Sequence, residues 1–507
     1  MAKRTTTSVQ SRTTGKTSKT ASAARYTADV VIVGAGVAGA IIAKELANAG
    51  KSVLLLEAGR ATSIRPEGYA SYVENYQEQL LKTPNSPYPQ IPNAPSPSVL
   101  EQAKPSPDNP VTGGYQVYNG KLPFLSNYTK VLGGTTLHFL GTCIRMVPND
   151  FRMHSEYGVG VDWPISYESM FPFYEQAELE MGVSAHVSEQ EREGVVFRKG
   201  YEYPMQQIPK SYLDRWLDRN LNGLKHKMGP DRLSVQVVGT PAGRNGMPNP
   251  TYIDPRTKKP YQPQGAPYDS RMGQRCEGNS ACVPICPVMA KYNALRSLYT
   301  VEKDAASRLE ILTQTIATKV LLSENGKEVT GILCKQYDQE AAPTIRDQEF
   351  TVTGRAYVIA AHAIETAKLL LASNAANSSD NVGRNLMDHP YFVTWGLAPS
   401  NARMGVFRGP QITSEIPMRD GKLRSEFAAF RADIRNGGWD FATGAPYTNV
   451  AQLSGKGLMG VNRRGRKVYG RELFGKALRE QLHSDVQRQI SFGFQIEQLP
   501  SRNNRVT

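Results

Sequence analysis

The chain has 507 residues, 40% of them hydrophobic and 21% charged, a globular balance that excludes a disordered or fibrous protein. Five cysteines are too few to staple a chain of this length, which excludes a disulfide scaffold, and no apolar run reaches the ~18–20 residues of a membrane-crossing helix. The net charge of +14 invites a nucleic-acid partner, but six of the cations (Lys3, Arg4, Arg12, Lys16, Lys19, Arg25) lie in residues 1–28, which hold no acid, and no nucleic-acid-binding motif accompanies the rest. Rich in Thr, Ser and Lys and without an apolar stretch, residues 1–28 read as a disordered basic tail rather than a Sec-type signal.

Regular structure is expected from Asp29. Asp29–Gly34 reads as a short buried parallel strand, Ala40–Ala47 as a helix and Lys51–Glu57 as a second buried strand, together a βαβ unit. Nine prolines between Pro84 and Pro110 mark a long excursion. Residues 165–182 have a helical amphipathic pattern. Residues 308–334 read as strands with a turn at Asn325-Gly326, Val352–Ala361 as a strand and Glu365–Ala372 as a helix. Gln489–Gln498 alternates apolar and polar residues through Ile490, Phe492, Phe494 and Ile496, the pattern of a half-buried strand.

Gly34-Ala-Gly36-Val-Ala-Gly39 sits between the first strand and the helix, with Glu57 closing the second strand, the context a dinucleotide-binding fingerprint requires. Gly34 permits the tight turn, Gly36 lets the backbone approach a pyrophosphate, and Gly39 allows close helix–strand packing. The helix N-terminus offers N–H groups to the phosphates, and Glu57 is placed to accept hydrogen bonds from a ribose. The motif does not by itself separate FAD from NAD.

A second segment, Val131-Leu-Gly-Gly-Thr-Thr-Leu-His138, completes a pattern. With Glu57-Ala-Gly-Arg60, Asp162-Trp163-Pro164, Ala361–Leu370 and Val382–Pro390 in the same order, the chain resembles the glucose–methanol–choline (GMC) oxidoreductases from residue 29 onward. The resemblance implies FAD as cofactor. It also implies that Gly133, Gly134, Thr135 and Thr136 line the flavin and its pyrophosphate, and that the backbone near Val320 meets the adenine. His138 stands where related enzymes place a histidine beside the flavin, in several of them bonded covalently to it.

Cys276, Cys282 and Cys286 form a C-x5-C-x3-C run ending in Pro287. A zinc site would want four ligands, and no histidine is near. Disulfides would leave one thiol over. Three thiolates suit an iron–sulfur cluster, with zinc or structural thiols as alternatives. The spacing is similar to that of flavoprotein subunits of bacterial sugar and polyol dehydrogenases, which implies a 3Fe–4S cluster, with Arg271 and Arg275 offsetting its charge. Cys143 and Cys334 read as buried thiols.

The expected fold is α/β: a Rossmann-like FAD-binding domain (29–65, 111–165 and 300–395) and a discontinuous mixed α+β substrate or cap domain (66–110, 166–299 and 396–507) that holds the cysteine run. The expected function is FAD-dependent dehydrogenation of a CH–OH group of a sugar or polyol, with electrons relayed through the cluster to a cytochrome or quinone. A GMC-type alcohol or pyranose oxidase, or a catalytically incompetent flavin-binding remnant, is the alternative. The resemblance implies a small chaperone-like subunit and a cytochrome c subunit as partners. It further implies a periplasmic location with membrane association through those partners, against a cytoplasmic alternative. The family's C-terminal histidine base finds no counterpart among the seven histidines, so no catalytic base is assigned and the fold is expected to be C-terminally incomplete.

Overall fold

A computed structural model of the chain describes residues 26–59, 64, 69–70, 73, 102–103, 116–117, 128, 130–263, 275–276, 278, 282, 285–301, 304–337, 349–405, 410–436, 460–461, 467–468 and 473–507. Arg60, Arg271 and most of the basic tail and of the proline-rich stretch fall outside these residues. In chain order, the elements that position the site are β1 (Tyr26–Val33), α1 (Val37–Asn48), β2 (Val53–Leu56), α2 (Phe171–Met181) and β3 (Val238–Gly239). After them come α3 (Ala294–Tyr299), β4 (Leu309–Leu312), β5 (Thr315–Leu322), β6 (Val329–Gln336), β7 (Phe350–Ile359) and α4 (Ala363–Ala372). The last four are β8 (Tyr391–Leu397), β9 (Ile412–Met418), β10 (Phe430–Arg435) and β11 (Gln489–Ile496).

Six strands form one sheet in the order β4-β2-β1-β7-β6-β5. β4, β2, β1 and β7 run parallel, while β5, β6 and β7 pair antiparallel in succession. Strands buried on both faces need continuous apolar runs, and β1 and β2 supply them. Val30, Ile32, Val53 and Leu55 face one way, against Ala40, Ala43 and Ala47 of α1 and Leu295 and Leu298 of α3. Val31, Val33, Leu54 and Leu56 face the other, with Val320, Ile332, Phe350 and Leu369. The alanines recur every three or four residues along α1, and their small side chains let the helix lie close to the sheet.

A second, antiparallel sheet has the order β8-β11-β10-β9-β3. The helix Tyr212–Leu221 packs on it through Leu213 and Leu217, against Ile434 and Ile490. This sheet also buries ions: Arg431 pairs with Glu415 at 2.8 Å and with Asp433.

Three expected boundaries are corrected. β1 begins at Tyr26, because Tyr26–Ala28 pair with Val352–Gly354 of β7, so the basic tail ends earlier than residue 28. Residues 391–397, assigned to the flavin domain up to 395, form β8 of the second sheet because they pair with β11. Residues 285–299, assigned with the cap domain, join the core under α1, since Ile285, Met289 and Leu295 are apolar and lie against it.

Candidate functional site

The carboxyl ends of β1, β2 and β7 converge, the usual place for a ligand on an open parallel sheet. Gly34 has φ +101°, and a methyl there would lie 2.5 Å from the Ala360 carbonyl that follows β7. A methyl on Gly39 would overlap the Gly34 carbonyl oxygen, whereas one on Gly36 would meet nothing within 4 Å. The turn is therefore closed on its protein side and open at Gly36. No side chain caps α1, which leaves the first-turn N–H groups facing that opening.

Glu57 is buried and ties the turns together. One carboxylate oxygen accepts the Ala35 N–H at 3.0 Å, the other the Gly59 N–H at 2.7 Å. Burial pushes its carboxyl up, and these two bonds oppose that shift. Each oxygen keeps a further lone pair, enough for a ribose hydroxyl. The backbone beside Glu57 is the β4–β5 turn: Thr315 N–H donates to the Glu57 carbonyl and Gln314 N–H to that of Gly59, both at 2.9 Å. Val320 is not there. It lies on β5 at the sheet's outer edge, and its N–H donates to the Ser373 hydroxyl at 2.9 Å. The break at Thr313-Gln314 between two apolar runs is the sequence signal that would have found the nearer backbone.

Gly59 joins this region to the second motif, since a methyl there would overlap the Lys130 carbonyl. Gly133 has φ +95° and leads into a single helical turn, Gly134–Leu137. Thr136 is buried: its hydroxyl donates to the Gly133 carbonyl at 2.6 Å and accepts the Ala294 N–H at 2.9 Å. It shapes the turn, while Gly134 and Thr135 are its partly exposed positions. His138 is buried beside Lys291. Burial, then the Lys291 cation, takes the imidazole down to about 3, so it is neutral near pH 7. The other six histidines are exposed, His389 among them.

The cysteine run lies next to this motif. Cys276, Cys282 and Cys286 are free thiols, Cys282 and Cys286 buried. Tyr69 donates its hydroxyl to the Cys286 carbonyl at 2.6 Å, and Cys276 N–H donates to the Asn245 carbonyl at 2.9 Å. Burial pushes the Cys276 thiol up, against the Gly278 N–H and the Arg244 cation, which hold it down. Among the described residues no three His, Cys, Asp or Glu side chains are gathered into a metal-holding group. Residues 277, 279–281 and 283–284 of the loop lie outside them. Arg275 is exposed. The cations near the loop are instead the buried Arg244, Lys291 and Arg296, which sequence reasoning missed because all three lie outside the run and nothing local marks them. Three free thiols ringed by buried cations have the donor chemistry of a thiolate-ligated cluster.

The open Gly36 turn, the bare α1 N-terminus and the buried Glu57 fit the pyrophosphate and ribose of FAD. A family model described as "FAD dependent oxidoreductase" matches residues 29–80, across that turn, and one described as "GMC oxidoreductase" matches residues 263–391. The chain is 32% identical to the fructose dehydrogenase large subunit of Gluconobacter japonicus, over 94% of this chain and 76% of that one. It is 25% identical to the 6'''-hydroxyparomomycin C oxidase of Streptomyces lividus, over 73% of this chain and 54% of that one. Among solved structures, pyridoxine 4-oxidase (Mesorbium loti) aligns over 92% of this chain and 71% of its own, at 15% identity and a TM-score of 0.44. With a relative of that identity along nearly the whole chain, and family matches that cover both the dinucleotide turn and the cysteine loop, the chain belongs to the GMC oxidoreductases, FAD-dependent enzymes that act on CH–OH donors.

Proposed function

We propose that the chain is the catalytic subunit of a dehydrogenase that oxidises a CH–OH group of a sugar or polyol. In this reading Cys276, Cys282 and Cys286 ligate a 3Fe–4S cluster that serves a cytochrome or quinone acceptor. FAD, when bound, supplies the acceptor of the substrate's hydride at N5. The alcohol would lose that hydride and give up its hydroxyl proton to solvent to become a carbonyl, and the hydride's two electrons would leave singly to the outside acceptor while its proton also passes to solvent. The chain's own residues do the holding. Gly36 and the start of α1 face the pyrophosphate, Glu57 accepts from the ribose, the 133–136 turn lies along the flavin, and His138, uncharged, borders it.

The observation that carries the reading is the fastening of the cysteine loop to the flavin motif: Lys291 donates to the carbonyls of Leu137 (3.2 Å), Phe139 and Cys282 (3.0 Å). An oxidase that hands electrons to oxygen has no use for such a neighbour. A fructose dehydrogenase relative named as a large subunit supports both the sugar-type substrate and partner subunits. We extend the reading to a periplasmic enzyme held at the inner membrane through a small chaperone-like subunit and a cytochrome c subunit.

The test is an anaerobic absorption and electron paramagnetic resonance study of the purified protein with a panel of aldoses, ketoses and polyols. A flavin spectrum bleached by one substrate, with a 3Fe–4S signal and no peroxide formed in air, is the expected result. Peroxide formation without bound iron would establish the oxidase alternative.

A further inference from the structure

Around the cysteine loop the protein collects positive charge that it does not neutralise. Arg244, Lys291 and Arg296 are 2%, 2% and 4% exposed. Burying a cation without a counter-charge is expensive. Yet among the described residues every hydrogen bond of these three goes to a neutral acceptor. Arg244 donates to the Leu140 carbonyl at 2.8 and 2.5 Å and to that of Ile412 at 2.7 Å. Lys291 reaches the three carbonyls already named. Arg296 donates to the Asn245 amide oxygen at 3.1 Å and to the Met289 carbonyl. Its buried Nε has no hydrogen-bond partner among the described residues. Among the described residues no carboxylate pairs with any of the three. Lys291 is bonded to the Cys282 backbone itself, and Arg244 and Lys291 bridge backbone to backbone.

Resting on the cluster reading above, we propose that Lys291, flanked by Arg244 and Arg296, is a positioning residue that holds an anionic, thiolate-ligated cluster against the flavin turn and raises its reduction potential. The geometry explains both effects. One ammonium uses its three N–H groups on two segments, 137–139 and Cys282, so the loop cannot drift from the flavin motif without breaking a buried bond. A fixed positive charge in a water-poor site stabilises the reduced, more negative cluster over the oxidised one. Electrons arriving from the flavin side then find a nearer and better acceptor.

The test is a potentiometric titration, followed by electron paramagnetic resonance, of the holoprotein and of Lys291→Met, Lys291→Arg and the surface control Lys199→Met, with iron and acid-labile sulfide measured on each. Lys291→Met removes the charge at nearly constant volume. We expect its cluster midpoint to shift downward and Lys291→Arg to restore most of that shift, with Lys199→Met unchanged. Loss of the cluster in Lys291→Met but not in Lys291→Arg would also support the holding role. A Lys291→Met protein with full iron and an unmoved midpoint overturns the proposal. If neither Lys291 variant folds, Arg296→Gln decides: the same downward shift supports the cation shell, and an unmoved midpoint overturns it. A wild-type protein without iron and sulfide refutes the cluster reading itself, and is seen before any variant is made.

Discussion

The two sheets are stabilised by different physics. In the six-stranded sheet, β1 and β2 are apolar on both faces and meet alanines and leucines, so the stabilisation is hydrophobic and non-directional. In the five-stranded sheet, β10 buries Arg431 and Asp433 beside Glu415, and Glu193 meets Arg419 at 2.9 Å. Each member of that network depends on its partner. At its edge, β8 leaves Tyr391, Phe392, Val393 and Trp395 exposed. The first sheet is built to hold a cofactor turn rigidly, and the second carries its specificity in charges that must be matched.

The sharpest test of the first region is steric. Gly39→Val should destabilise by more than about 4 kcal/mol and abolish flavin absorbance, because the new side chain strikes backbone. Gly36→Ala should leave the flavin-free melting temperature unchanged yet weaken flavin binding roughly tenfold, equivalent to about 1.4 kcal/mol. If Gly36→Ala destabilises the flavin-free protein as much as Gly39→Val, the opening at Gly36 is not the cofactor's. For the second region, Arg431→Met should cost about 3–5 kcal/mol in urea unfolding, because Glu415 and Asp433 would be left buried and unpaired. Replacing all three by apolar residues should recover most of that loss. No recovery would mean that the sheet relies on the charges themselves.

The regions should also titrate in opposite senses. His138 is held down to about 3 by burial and Lys291, so an unfolded chain takes up its proton first. The stability this gives is complete above about pH 6.5 and is lost as pH falls toward 3. Glu193 is pushed up to about 8 by burial and the nearby Glu415. The folded chain holds that proton longer, so stability falls as pH rises from about 4.5 to 8. Melting temperatures of the flavin-free protein across pH should show both limbs, His138→Asn flattening the acid one and Glu193→Gln the alkaline one. The smallest effect belongs to the exposed edge: Val393→Thr should change stability by no more than about 0.5 kcal/mol.

How legible each part was follows from the same contrast. Local, apolar and glycine-marked features were readable: the turn at Gly34–Gly39, the strands around it, the Asn325-Gly326 turn with Gly326 at φ +69°, and α4. The strand at Gln489–Ile496 was read from its alternation, although Gly493 rather than Phe492 or Phe494 joins Ile490 in being buried. What local pattern leaves unread is long-range. The backbone near Val320 is expected at the adenine, while β5 brings Val320 to the Ser373 hydroxyl and it is Thr315, at the start of the strand, that bonds the Glu57 carbonyl. Arg275 lies beside Cys276 in sequence yet is exposed, while the buried Arg244 comes from a distant segment that bridges to Lys291. Charge neighbours are set by tertiary packing, which no local pattern encodes.

The contact between Gly59 and Lys130 has a consequence for how the site is spaced. Because the two backbones touch, Gly59 and Lys130 are held side by side, and of the described residues between them Tyr69 is fastened to the Cys286 carbonyl and Tyr128 to Glu365. Any side chain at residue 59 would push the Lys130–Val131 backbone away, so the spacing between Glu57 and the 133–137 turn is set by the absence of a methyl group rather than by a bond.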